Sequence, residues 1–147
     1  HKVGLDQTTD DGTRISNKGG KISDDLTELE LSGSRLTKHK TIEDKLKFLS
    51  KKEEDYVFCL ATKKEKWEQG RKKYYFVVID SKKLNYSEQE WSETIGQKGK
   101  FKGEVTGWKC TSTGFDAIIK KQMSDQLWTT IRKSIFEEIY EIDISPE

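Results

Sequence analysis

From Glu28 to Ser32 apolar and polar residues alternate strictly, with Leu29 and Leu31 on one side and Glu28, Glu30 and Ser32 on the other. Period two marks a strand with one buried face. The run Leu26–Arg35 is therefore read as a strand. The 25 residues before it are polar and rich in Gly, Asp, Lys and Ser. They predict a loop or irregular hairpin around Gly12 and Gly19-Gly20. Beyond the strand the period changes: Ile42, Leu46 and Leu49 recur at helical spacing. Thr41 is placed to cap that helix, with Asp44 at the reciprocal capping position. Asp55–Thr62 is apolar on both faces, the pattern of a central strand, and Tyr74–Asp80 is a second strong strand. Phe101–Trp108 reads as a shorter one, set among glycines 96, 99, 103, 107 and 114. Leu127, Ile131 and Ile135, with Trp128 and Ile139 beside them, predict a closing helix from about Ser124 to Tyr140. Ser124 would be its N-cap, and Pro146 lies beyond its end. The expected fold is α/β, a mixed central β-sheet flanked by α-helices, in one domain over residues 1–147.

Composition narrows the class. The chain is 32% hydrophobic and 36% charged, polar for a globular domain, but 10% aromatic residues and several apolar runs exclude disorder. No run approaches the ~18 apolar residues of a membrane span, so no membrane partner is expected. No signal peptide is visible. The chain starts at His1, which reads as a processed or partial chain. Cys59 sits in an apolar run and Cys110 in a Gly/Thr-rich one. Two Cys and two His without ligand spacing make no zinc site, and a reducing, cytoplasmic setting is expected. Net charge is +1 but unevenly spread: residues 137–147 carry −5, leaving +6 on the rest. That body suits a polyanion, although a modest lysine surplus is also what a solubilising surface looks like.

The candidate chemistry lies on the Leu26–Arg35 strand. Carboxylates at i and i+2 of a strand share a face, roughly 7 Å apart. Glu28 and Glu30 stand so, with Ser32 extending the row, and the preceding loop supplies Asp11 among other acids. Oxygen-only sites of this kind suit Mg²⁺, which activates water and neutralises charge at a phosphate. An outward strand face carrying charges is also ordinary solvation. Ser34, Arg35, Lys38, His39 and Lys40 come next in the chain, and a carboxylate row leading into a basic segment suits metal and phosphate together.

The segment ELELSGSRLTKHKTIEDKLKFL, followed by DYVFCLAT and YYFVVID, resembles the core of the PD-(D/E)xK nucleases, particularly type II restriction endonucleases. The likeness covers about residues 20–80, and 115–135 more loosely. It implies a homodimeric, Mg²⁺-dependent endonuclease hydrolysing double-stranded DNA. On that resemblance Glu30 is a metal ligand, Glu28 a second ligand or base, and Asp11 a third carboxylate. Ser32, Ser34, Arg35, Lys38 and Lys40 would lie on the DNA. The sequence departs from the family motif at Ser32, where a lysine is expected. Two further readings therefore stand beside it: a catalytically degenerate DNA-binding module of the same fold, and a protein-interaction domain without nucleic acid. The second draws on the near-neutral charge and the acidic tail.

Other features are weaker. Lys63–Lys73 with Trp67 reads as a DNA-facing arm or a solvated hairpin. Gly96–Gly114, with Lys98, Lys100, Lys102, Lys109 and Trp108, reads as a specificity loop or a plain turn region. His39 reads as a surface residue. No phosphate-binding loop motif is present.

Overall fold

The computed structural model describes residues 7–64 and 72–144. In chain order the strands are β1 (Gln7–Thr8), β2 (Arg14–Ile22), β3 (Glu28–Arg35), β4 (Tyr56–Lys63), β5 (Lys72–Asp80), β6 (Ser92–Ile95), β7 (Val105–Thr111), β8 (Phe115–Lys120), β9 (Gln126–Arg132) and β10 (Phe136–Ile144). The one α-helix among the described residues is α1 (Ile42–Ser50). All ten strands join one sheet, in the order β10-β5-β4-β2-β3-β9-β8-β7-β6, with β1 added on β2. Only β2 and β4 run parallel, since β3 and α1 lie between them in the chain.

This corrects the expected α/β fold. The sheet is mixed, as expected, but among the described residues a single α-helix packs on one face of it, in place of helices on both. The predicted helix from Ser124 to Tyr140 is instead β9, a short 3-10 turn and β10. Ser124 does not N-cap an α-helix; it ends the 3-10 turn Lys121–Met123 and with Asp125 forms a left-handed turn between β8 and β9, at φ 57° and 51°. The polar stretch before Leu26 contains a nine-residue strand, β2. The expected Phe101–Trp108 strand begins later, at Val105. The likeness to PD-(D/E)xK nucleases falls too, because the helix-flanked core it implied is replaced by a ten-stranded sheet.

The period-two face of β3 is as read: Leu29 and Leu31 are buried and Glu28 and Ser32 exposed. Inward residues of β2, β3, β4, β5, β7, β8 and β9 join one apolar cluster. Alpha-helix α1 and the segment Ser81–Trp91 cover this inner face, through Ile42, Leu46, Phe48, Leu49, Leu84, Tyr86 and Trp91. Thr41 caps α1 as expected, its Oγ1 accepting from the Asp44 N–H at 3.1 Å. A charge also serves this core. Lys45, 1% exposed, pairs with Asp125 at 3.1 Å, donates to the His39 carbonyl and lies over the Trp108 ring.

Lys52 is the second inward lysine. Its Nζ donates to the carbonyls of Ser81 and Leu84 and faces the Tyr86 ring. Burial pulls its pKa down to about 8, against the raising influence of Glu54 and Asp80. The folded chain then holds fewer protons than the unfolded chain between about 8 and the ordinary 10.5. Through that window the contribution of Lys52 to stability rises with pH. NMR titration of the lysine side chains should show Lys52 losing its proton first.

Candidate binding surface

Glu28, Glu30 and Ser32 project from the outer face of β3, in keeping with the alternation. Glu30 lies opposite Lys21 of β2 and Thr130 of β9 and pairs with Lys64 at 3.6 Å. Glu28 lies opposite Arg132, but that guanidinium is committed to Asp116 at 3.1 Å and to the Ser112 and Thr113 carbonyls. Asp11 stands elsewhere. It precedes β2, whereas Glu30 meets β2 at Lys21, seven residues beyond Arg14. Strand rise alone puts roughly 23 Å between those ends. The Asp11 carboxylate is spent on its own turn, accepting from the Thr9 hydroxyl and the Thr13 N–H. Those bonds hold its pKa down to about 2. The three carboxylates therefore do not fit a shared Mg²⁺. Among the described residues no three His, Cys, Asp or Glu side chains converge as a metal site.

The residues expected on DNA are divided. Ser32 faces outward opposite Trp128, and Arg35 lies past a bulge, opposite Gln126. Ser34, with Ser32, borders a partly open slot beside α1. Lys38 and Lys40 are exposed in the turn before α1. His39 is half-buried, stacked on Phe48 with ring centroids 4.5 Å apart. Most of the Lys63–Lys73 connection, Trp67 included, lies outside the described residues.

Sequence reasoning missed the outer face of β4, β5 and β10. The register sets Phe58 beside Val78, and sets Leu60, Phe76 and Tyr140 in one row across the three strands. Phe58 meets Phe76 edge-on at 5.2 Å, and Phe76 stacks towards Tyr140 at 6.4 Å. No described helix covers them. Leu60 is 45% exposed, Tyr140 52% and Ile142 39%. Exposed apolar side chains gathered on one face mark an interaction site. The patch ends at β10, an edge strand paired only with β5 among the described residues.

Strand β10 contains Glu137, Glu138, Glu141 and Asp143 and no Lys or Arg. Two of these acids are matched from neighbouring elements, Glu137 by Lys83 at 2.6 Å and Glu141 by Lys73 at 3.1 Å. Both lysines have raised pKa values, with hydrogen bonding to those glutamates the first cause. Glu138 bonds the Tyr140 hydroxyl and raises its pKa too. A signal was present in the sequence: the apolar outward positions Phe58 and Leu60 of one strand match Phe76 of the next.

Comparison with protein-family models, with curated proteins and with solved structures finds no match to this chain. The nuclease resemblance thus has neither the fold nor a family model behind it. No helix among the described residues is long and apolar enough to cross a membrane.

Proposed function

We propose that this domain is a protein-interaction module that takes an extended, basic segment of a partner polypeptide along β10. The carrying observation is the row Leu60–Phe76–Tyr140, uncovered among the described residues and ending at a nine-residue strand whose other edge is unpaired among them. An open edge offers main-chain donors and acceptors to an added strand, and alternate side chains of that strand would meet the aromatic face. Charge selects the occupant. Strand β10 paired antiparallel with a second copy about Tyr140 would set Glu137 against Asp143, a like-charge pair that opposes self-addition. A lysine- or arginine-bearing strand meets no such barrier.

The endonuclease reading draws less support, because its third carboxylate, Asp11, is separated from Glu30 by the length of β2. DNA binding needs its cations on one surface. Here Arg35 lies at the end of β3, and Lys38 and Lys40 lie in the turn before α1.

The test uses a nine-residue peptide alternating Lys with Val, and its Glu counterpart. The lysine peptide should slow hydrogen exchange at alternate amides of Phe136–Ile144, and should weaken as salt rises. Ile142→Lys and Tyr140→Lys should each reduce affinity about tenfold by placing charge on the apolar row and opposing a basic strand. Equal affinity for the glutamate peptide, or protection away from β10, would count against this reading.

A further inference from the structure

A slot opens between β2, β3 and α1. Strands β2 and β3 pair only at Lys21–Glu30 and Ile22–Leu29. Further along, that edge of β2 is taken by β1, at Arg14 and Ile15. Between these points β3 runs with β9 instead, and bulges between Ser32 and Arg35. The two strands part, and the wedge opens into a slot of about 90 Å³ running beneath α1. Its walls are mostly apolar: Leu31, Phe48, Leu84 and Leu127 line it. One water needs about 10–15 Å³ on this measure, so the slot holds several waters or one short hydrocarbon body.

The charged groups on the slot are uneven. Lys18, Lys51, Lys52 and Glu54 line it. Lys52 is committed to the Ser81 and Leu84 carbonyls, and its interaction with Glu54 is attractive. Lys18 and Lys51 have no carboxylate within ion-pair distance among the described residues. After Lys52 and Glu54 offset each other, the slot keeps two unmatched cations above an apolar floor. An amphipathic anion satisfies both features.

We propose that the slot binds a small apolar carboxylate, the size of a branched four- or five-carbon acid. Its hydrocarbon would rest on Leu31, Leu84 and Leu127, and its carboxylate on Lys18 and Lys51. The site is separate from the β10 surface, so either proposal can fail alone.

Isovalerate, its isosteric amide isovaleramide and isoamylamine are the probes, titrated into the whole chain and monitored by methyl NMR. For so few heavy atoms, saturation at about millimolar isovalerate is expected. Shifts should centre on Leu31, Leu84 and Leu127. The amide should bind about tenfold more weakly and the amine not detectably. Lys18→Met and Lys51→Met, both changes at the rim, should each weaken isovalerate about tenfold. Leu127→Phe, which fills the slot, should abolish binding while the lysine peptide still engages β10. Unsaturable shifts, shifts centred elsewhere, or equal binding of acid and amide would each overturn the proposal. The rim variants decide it even if Leu127→Phe does not fold.

Discussion

Asp125→Ala should destabilise the fold by about 3 kcal/mol, the lower end of the cost of leaving one charge of a buried pair unmatched. Lys45 is 1% exposed, and its ammonium lies 3.1 Å from Asp125. Removing the carboxylate leaves a cation in the core with two partners, the His39 carbonyl and the Trp108 ring. Those contacts keep the cost from being larger. Asp125 also sits at φ 51°, a conformation that Asp and Asn adopt more readily than Ala, so Asp125→Asn should cost less. Lys45→Met leaves the Asp125 carboxylate unmatched instead, but that carboxylate is 17% exposed against 1% for the lysine and keeps part of its hydration, so the cost should be smaller, about 2 kcal/mol. Urea denaturation of the three variants reads the order directly. If Asp125→Ala costs no more than Lys45→Met, the pair does not tie α1 to the β8–β9 turn.

That ion pair also shows why the end of the chain is hard to read from sequence. Leu127, Ile131 and Ile135 recur at helical spacing, but Leu127, Thr129 and Ile131 recur at strand spacing, and the strand is what forms. Thr129 hides the alternation. It is a polar residue on the buried face, made compatible with burial by a 2.7 Å hydrogen bond between its hydroxyl and that of Tyr86. A partner 43 residues away cannot be seen in a local pattern. Strand β2 is obscured similarly. Its polar and glycine-rich sequence reads as loop, yet Ser16 is buried and Gly20 lies against Leu31 and Cys59.

What depends on one element was legible: the two faces of β3, the Thr41 cap of α1, and the existence of β4 and β5. What depends on the joining of elements was not. Asp11 resembled a third carboxylate only while the length of β2 was unknown. Asp55–Thr62, apolar on both faces, suggested a strand covered on both sides. Among the described residues nothing covers its outer side, where Leu60 is 45% exposed. The C-terminal region is built of strands because its buried residues recur with a period of two where a helical period was read.

Glycine substitutions test that sheet most sharply. Gly107→Ala should cost about 4 kcal/mol, adding the strain of a disfavoured backbone to that of an overpacked contact. Gly107 sits at φ 152° on β7, and a Cβ there would stand 1.9 Å from the Ile119 carbonyl oxygen of β8. That neighbour is backbone in a paired strand, so relief requires moving the ladder that joins Gly107 to Lys120 and Trp108 to Ile119. The matched control is Gly19→Ala. Gly19 lies on β2, has nothing within 4 Å of its Cβ position and needs no positive φ. Alanine there should leave stability unchanged or raise it by about 0.5 kcal/mol through the unfolded chain. Thermal and urea unfolding of both variants separate the two outcomes by several kcal/mol. Equal effects would mean that β7 and β8 do not meet in this register.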